Sequence, residues 1–199
     1  TELTLAPVAL TFTSTDWNIP QTVTVTGVDD VLLDGDRFTY ITISVFDSAS
    51  ADEYRTAPSI SILARTTDNE VAGYTVAESG GSTVVSEDET TDSFTVALDT
   101  EPTANVLVLV SGGDITELTL APVALTFTST DWNIPQTVTV TGVDDALIDG
   151  TRVTYITISV FDSVSADEYR TAPSISILAD TYDNDAANYT VAESGGSTV

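Results

Sequence analysis

The chain contains no cysteine, histidine, lysine or methionine, and its only basic side chains are Arg37, Arg55, Arg65, Arg152 and Arg170. Each absence closes off a chemistry. Without Cys there are no disulfides, so this is not a stapled mini-domain. Without His or Cys, zinc and copper lose their usual ligands. Nucleophilic triads built on His are excluded, and so are Schiff bases and lysine–asparagine crosslinks. No apolar run approaches the roughly 18 residues of a membrane-spanning helix, and no stretch carries a sustained 3.6-residue apolar period.

What is present is acid. Thirty-one Asp and Glu face five Arg, a formal net charge of −26. Phosphate backbones are repelled by such a surface, which excludes nucleic acid as a partner, and anionic membrane surfaces are disfavoured for the same reason. Hydrophobic content of 42% still suffices for a packed core. The reading is of a soluble, acidic β-protein with no membrane insertion.

The chain also repeats itself. Residues 1–84 return as residues 116–199 at a constant offset of 115, with only ten of the 84 aligned positions different. A period of that length is a whole β-domain and far exceeds a solenoid unit. Strand patterns fill it. Thr22-Val23-Thr24-Val25-Thr26 and Ile41-Thr42-Ile43-Ser44-Val45 alternate strictly, and Ser59-Ile60-Ser61-Ile62 continues the habit. Tyr74-Thr75-Val76-Ala77, Phe94 to Leu98, Val106 to Val110 and Leu125 to Thr128 add four more. Ser79-Gly80-Gly81, Asp99-Thr100-Glu101-Pro102, Ser111-Gly112-Gly113-Asp114 and Asp149-Gly150 punctuate them.

Seven or so short strands in a repeat of this size predict an all-β chain of tandem immunoglobulin-like antiparallel β-sandwich repeats of about 115 residues. The predicted boundaries are 1–70 for the C-terminal part of one repeat, 71–185 for a complete repeat, and 186–199 for the first strand of the next. On this reading the open ends are completed by neighbouring sequence, in the same polymer or in an adjacent molecule.

Three acidic motifs recur in each repeat. One runs Val28-Asp29-Asp30-Val31-Leu32-Leu33-Asp34-Gly35-Asp36, matched by Val143 to Thr151. A second ends the unit, as Asp68-Asn69-Glu70 and Asp183-Asn184-Asp185. The third is Glu78, matched by Glu193. Immunoglobulin topology brings all three to one end of the sandwich. Isolated Asp and Asn at strand ends are ordinary turn formers. Five or six carboxylates at one pole repel unless a cation sits among them. Calcium takes six to eight oxygens on irregular loops, whereas magnesium demands a tighter octahedron.

These residues resemble the Calx-β domains of sodium–calcium exchangers, integrin β4 and large bacterial surface proteins. Tyr74, Val76, Glu78 and Gly81 match the family's opening, Leu125-Thr126-Phe127 its Leu-x-Phe strand, and Asp144-Asp145 with Asp149 its acidic strand end. Asp183-Asn184-Asp185 matches its closing triplet. The resemblance implies calcium ligands at Glu78, Asp144, Asp145, Asp149, Asp183 and Asp185. In the preceding unit it implies Asp29, Asp30, Asp34, Asp68 and Glu70, with Asp36 as an extra acid where the second copy has Thr151, and Glu193 in the following one. The family's Gly-x-x-Tyr segment is replaced by Ser111-Gly112-Gly113-Asp114, so no ligand is carried over from that loop.

The phrase from Phe127 to Val138 is similar to repeats of giant secreted bacterial adhesins. Trp132 and Trp17 read as caps on the core beside Pro135 and Pro20, with carbohydrate stacking as the alternative. The functional expectation is therefore a non-enzymatic extender segment of an extracellular or cell-surface adhesin or fibre, rigidified by calcium at the repeat ends. Its partners would be calcium ions, neighbouring repeats or adjacent copies, and a host or substratum surface. The alternatives are a filament subunit completed by strand exchange, and a module that binds glycan or another surface.

Overall fold

The computed structural model describes residues 2–192, and the chain divides into two compact units, Thr1–Glu70 and Val71–Val199. Glu193 lies outside the described residues.

The first unit contains β1 (Leu3–Ala6), β2 (Thr24–Gly27), β3 (Arg37–Ile43) and β4 (Ile60–Thr66). β1 pairs antiparallel with β2, and β3 with β4, as two separate two-stranded ribbons. The expected alternation in residues 41–45 stops contributing to the ladder at Ile43.

The second unit holds β5 (Tyr74–Glu78), β6 (Thr83–Ser86), β7 (Thr91–Leu98), β8 (Val106–Gly112), β9 (Leu118–Ala121), β10 (Ala124–Phe127), β11 (Gln136–Gly142), β12 (Arg152–Val160) and β13 (Ile175–Tyr182). They form two sheets, ordered β5-β7-β11-β9 and β10-β8-β12-β13-β6. Every pairing is antiparallel except β13 with β6, which is parallel. This is an immunoglobulin-type β-sandwich: the opening strand switches sheets at Ser79–Gly81, so β5 serves one sheet and β6 the other.

Alternation explains which side chains meet. Val138 and Val140 of β11 face inward, as do Phe94, Val96 and Leu98 of β7. Opposite them lie Val106, Val108 and Val110 of β8 with Ile156 and Ile158 of β12. Thr137, Thr139 and Thr141 take the solvent face. Two tyrosines tie the upper end: Tyr74 Oη lies 2.7 Å from the Ile158 carbonyl, and Tyr169 Oη donates to the Thr100 carbonyl at 2.5 Å.

Residues 186–192, the described part of the segment expected to open a further repeat, carry no strand. In the second unit the matching strand β5 is held by β7, and the 199 residues contain no second copy of 91–98 to play that part.

Candidate cation site

The end of the second unit where β6, β11 and β13 terminate collects four acidic loops. The β6–β7 turn brings Glu87, whose N–H continues the parallel ladder by donating to the Tyr182 carbonyl at 3.1 Å. The β11–β12 loop brings Asp144, Asp145 and Asp149. The chain leaving β13 brings Asp183 and Asp185. The turn before β9 brings Glu117, whose carbonyl accepts from Val143 N–H at 2.8 Å.

These loops are shaped by their own carboxylates. Asp183 Oδ2 accepts from Gly150 N–H and its Oδ1 from Asp185 N–H, both at 2.7 Å. Asp145 Oδ1 accepts from Leu147 N–H at 2.6 Å. Asn184 bridges to the neighbouring turn: its N–H donates to Glu87 Oε2 at 3.2 Å, and its side-chain amide to Asp88 Oδ1 at 3.0 Å. Asp183 thereby spans two loops, a use of Asp that turn chemistry alone does not require.

Glu87, Asp183 and Asp185 present carboxylate oxygens that all lie within 4.8 Å of one another. Glu87 is only 2% exposed and Glu117 only 3%. Among the described residues, the basic group that pairs with acids here is Arg152, with Nε 3.4 Å from Asp149 Oδ2 and 3.8 Å from Glu117 Oε1. Two oxygens there, Glu117 Oε2 and Asp185 Oδ2, are buried without a hydrogen-bond partner. An unpartnered buried carboxylate oxygen is costly, and in a concentration of like charge doubly so.

The titration behaviour follows from that crowding. Burial first, then the Asp149 charge, raises the Glu117 carboxyl above its ordinary range. Burial and the charges of Asp183, Asp144 and Asp145 raise Asp185. At Glu87 the Asn184 N–H bond pulls downward, but burial and the charges of Asp183, Asp145 and Asp149 together outweigh it and the carboxyl rises. Asp183 goes the other way, held low by the N–H groups of Gly150 and Asp185.

The site's donor set is entirely oxygen, offered by irregular loops, with two oxygens unengaged. That fits a hard cation of calcium's size and coordination number. Among the residues expected from sequence, Asp183 and Asp185 belong to the tight triad. Asp145 and Asp149 stand close enough to act on Glu87 and Glu117 electrostatically, and Asp144 acts on Asp185 from an exposed position. Glu78 is placed differently: its Oε2 accepts from Thr83 Oγ1 at 2.8 Å, at the β5–β6 corner. Glu87 and Glu117 are the members that sequence reasoning left out.

The first unit repeats the loop architecture independently. Asp68 accepts from Gly35 N–H and from Glu70 N–H, and Asp30 Oδ1 from Leu32 N–H at 2.9 Å. Glu2, Asp30, Asp34, Asp68 and Glu70 line one small concavity. Asp29 is exposed beside it. Asp36 pairs with Arg65 and accepts from Asp68 N–H at 3.1 Å. In the second unit the corresponding positions are Thr151 and Asp180, so acid and arginine are replaced together.

No protein-family model matches the chain, and no curated protein matches it. Solved structures do. The apo form of the Calx CBD1 domain is 15% identical, with a TM-score of 0.40 over 58% of this chain and 100% of that one. Domains 4 and 5 of the S-layer protein SbsC are 14% identical, with a TM-score of 0.36 over 81% and 82%. The E. coli chaperone DraB is 10% identical, with a TM-score of 0.41 over 58% of this chain, which spans 59% of the chaperone's length.

Proposed function

We propose that the chain is a structural extender segment of a long extracellular or cell-surface adhesin or fibre, and that calcium bound at the acidic poles of its Calx-β-like sandwiches stiffens the array. One observation carries the reading: buried Glu87 and half-buried Asp183 and Asp185 converge within 4.8 Å while Asp185 Oδ2 and Glu117 Oε2 lack partners. Glu87, Glu117, Asp145, Asp149, Asp183 and Asp185 would hold the ion, with Asp144 adding charge nearby. A bound divalent cation supplies positive charge where these carboxylates otherwise repel, and draws the β6–β7, β11–β12 and post-β13 loops together.

The near-identity of the two copies supports a spacer, because reach scales with copy number and no single copy needs a unique site. On this proposal the chain is not an enzyme. The missing His, Cys and Lys, and a constellation repeated along the chain, support that.

Calcium titration followed by melting temperature tests the reading. A ligand at about 100 times its dissociation constant adds about 2.7 kcal/mol, or roughly 10 °C for a domain of this size. Glu117→Gln should raise the melting temperature in chelator and shrink the calcium increment. No increment at millimolar calcium would remove the calcium role.

A further inference from the structure

The acidic pole of the second unit carries a positive charge of its own. Residues 71–199 contain two basic side chains, Arg152 and Arg170. Arg170 is engaged within its own loop: its Nε donates to the Asp162 carbonyl at 3.0 Å, and its guanidinium lies 2.8 Å from Asp167 Oδ1. Arg152 is the first residue of β12 and shares the parity of Ile156 and Ile158, the core-facing set. At that end of the strand the inward set runs out of core and meets acid. The Arg152 Nε lies 3.4 Å from Asp149 Oδ2 and 3.8 Å from Glu117 Oε1. Both are longer than an N–H···O hydrogen bond, so charge rather than direction holds the guanidinium there. Its side chain stays 51% exposed.

Glu117 is divided between two demands. Its Oε1 faces Arg152, while its Oε2 is buried without a partner. Burial and the Asp149 charge raise its carboxyl pKa, and the Arg152 charge pulls it back without cancelling them. One arginine therefore does not neutralise the pole. The first unit builds the same contact from its own residues. Arg37 opens β3, and its Nε donates to Asp34 Oδ2 at 2.8 Å. The Asp34 bond and charge, with the charges of Glu2 and Asp30, raise the Arg37 pKa. Asp34 and Glu2 stand where Asp149 and Glu117 stand in the second unit.

We propose, resting on the calcium reading above, that Arg152 is a tethered counter-ion of the ion-free pole, which calcium displaces, so that this arginine sets the concentration at which the site fills. Asp149 and Glu117 are two of the six acids that would hold the ion, and an oxygen facing a guanidinium is not free for a metal. Displacement costs little, because the guanidinium is half exposed and makes no tight bond to either acid. It still has a cost. A positive charge tethered to its own backbone stays near and repels a divalent ion. Such a resident competitor weakens the site toward the roughly 0.1–1 mM dissociation constants of extracellular calcium modules.

The test is a calcium titration of the full chain by NMR, read at the Gly150 amide, whose bond to Asp183 Oδ2 makes it a reporter of the second unit. Arg152→Gln should tighten calcium about ten-fold, since a unit positive charge leaves the ion's surroundings. The same variant should melt lower than wild type in chelator. Arg152→Lys keeps the charge and should leave both quantities near wild type. An arginine with a structural role alone would lose stability in chelator with no gain in affinity. The unsubstituted chain gives a second readout: exchange of the Arg152 Nε–H should quicken about ten-fold when calcium is added. No calcium response at Gly150 in either chain overturns this proposal together with the calcium reading. A response in Arg152→Gln of equal or lower affinity overturns this proposal alone, as does an Arg152 Nε–H that calcium leaves unmoved.

Discussion

Ile43 and Ile158 stand in the same hexapeptide context, but only Ile158 is sealed between sheets. Ile158→Ala should therefore cost about 2–5 kcal/mol, and Ile43→Ala under about 0.5 kcal/mol, by denaturant melts of the full chain. Equal costs would contradict the exposed first-unit face. Acids at the pole make a second residue-scale prediction. Glu87, Glu117 and Asp185 have folded-state pKa values above their ordinary ones, so the stability tied to their protonation is present at low pH and lost as pH rises through the raised values. Asp183 is held low, so its contribution survives until pH falls beneath the ordinary carboxylate range. In chelator the melting temperature should thus climb as pH drops from 7 to about 5, before falling at stronger acid. Calcium should abolish the climb, since the ion replaces the protons. A flat profile in chelator would contradict the crowding. Alternation made the inward residues of β7, β8 and β11 legible in sequence. Glu87 was not: Ser-Glu-Asp-Glu reads as a solvated turn, and its burial comes from pairing with Tyr182, 95 positions away. Glu117 sits beside Leu118 in an alternating run, but a turn closed by Leu118 N–H on the Asp114 carbonyl redirects it inward.

At the scale of elements, regular strands were readable wherever β-branched residues alternate, as in β7, β8 and β11. Three short ones, β1, β6 and β9, were not, because four residues carry little periodicity and their partners are distant in sequence. The β3 ladder stops at Ile43, whereas β12 runs on to Val160, where Val160 is matched to Val108 of β8. Strand length here is set by the partner. The β11–β12 loop has a different anchor, the bond from Gly150 N–H to Asp183 Oδ2. Asp183→Ala removes it together with a member of the triad. Amide exchange across residues 146–151 should quicken about ten-fold, a loss of about 1.4 kcal/mol of local protection, while β7 and β8 stay protected. Unchanged exchange would mean the loop is held elsewhere.

For the whole molecule, a net charge of −26 on 199 residues favours extension at low salt, because like charges repel over a Debye length of about 10 Å at 0.1 M. The repeat and the sandwich class were plain in the sequence. A multi-repeat protein studied by small-angle scattering should lengthen and lose flexibility when calcium replaces chelator, and identical profiles would refute the stiffening role. The parallel pairing of β6 with β13 has one more consequence, and it concerns force. The first strand of that sheet and the last run side by side in the same direction, so tension on the two ends of the unit slides one along the other. The Thr83–Ser86 bonds to Ala179–Tyr182 are then loaded together in shear and cannot open one after another. A unit built this way resists a pull along the chain far better than its modest hydrogen-bond count suggests.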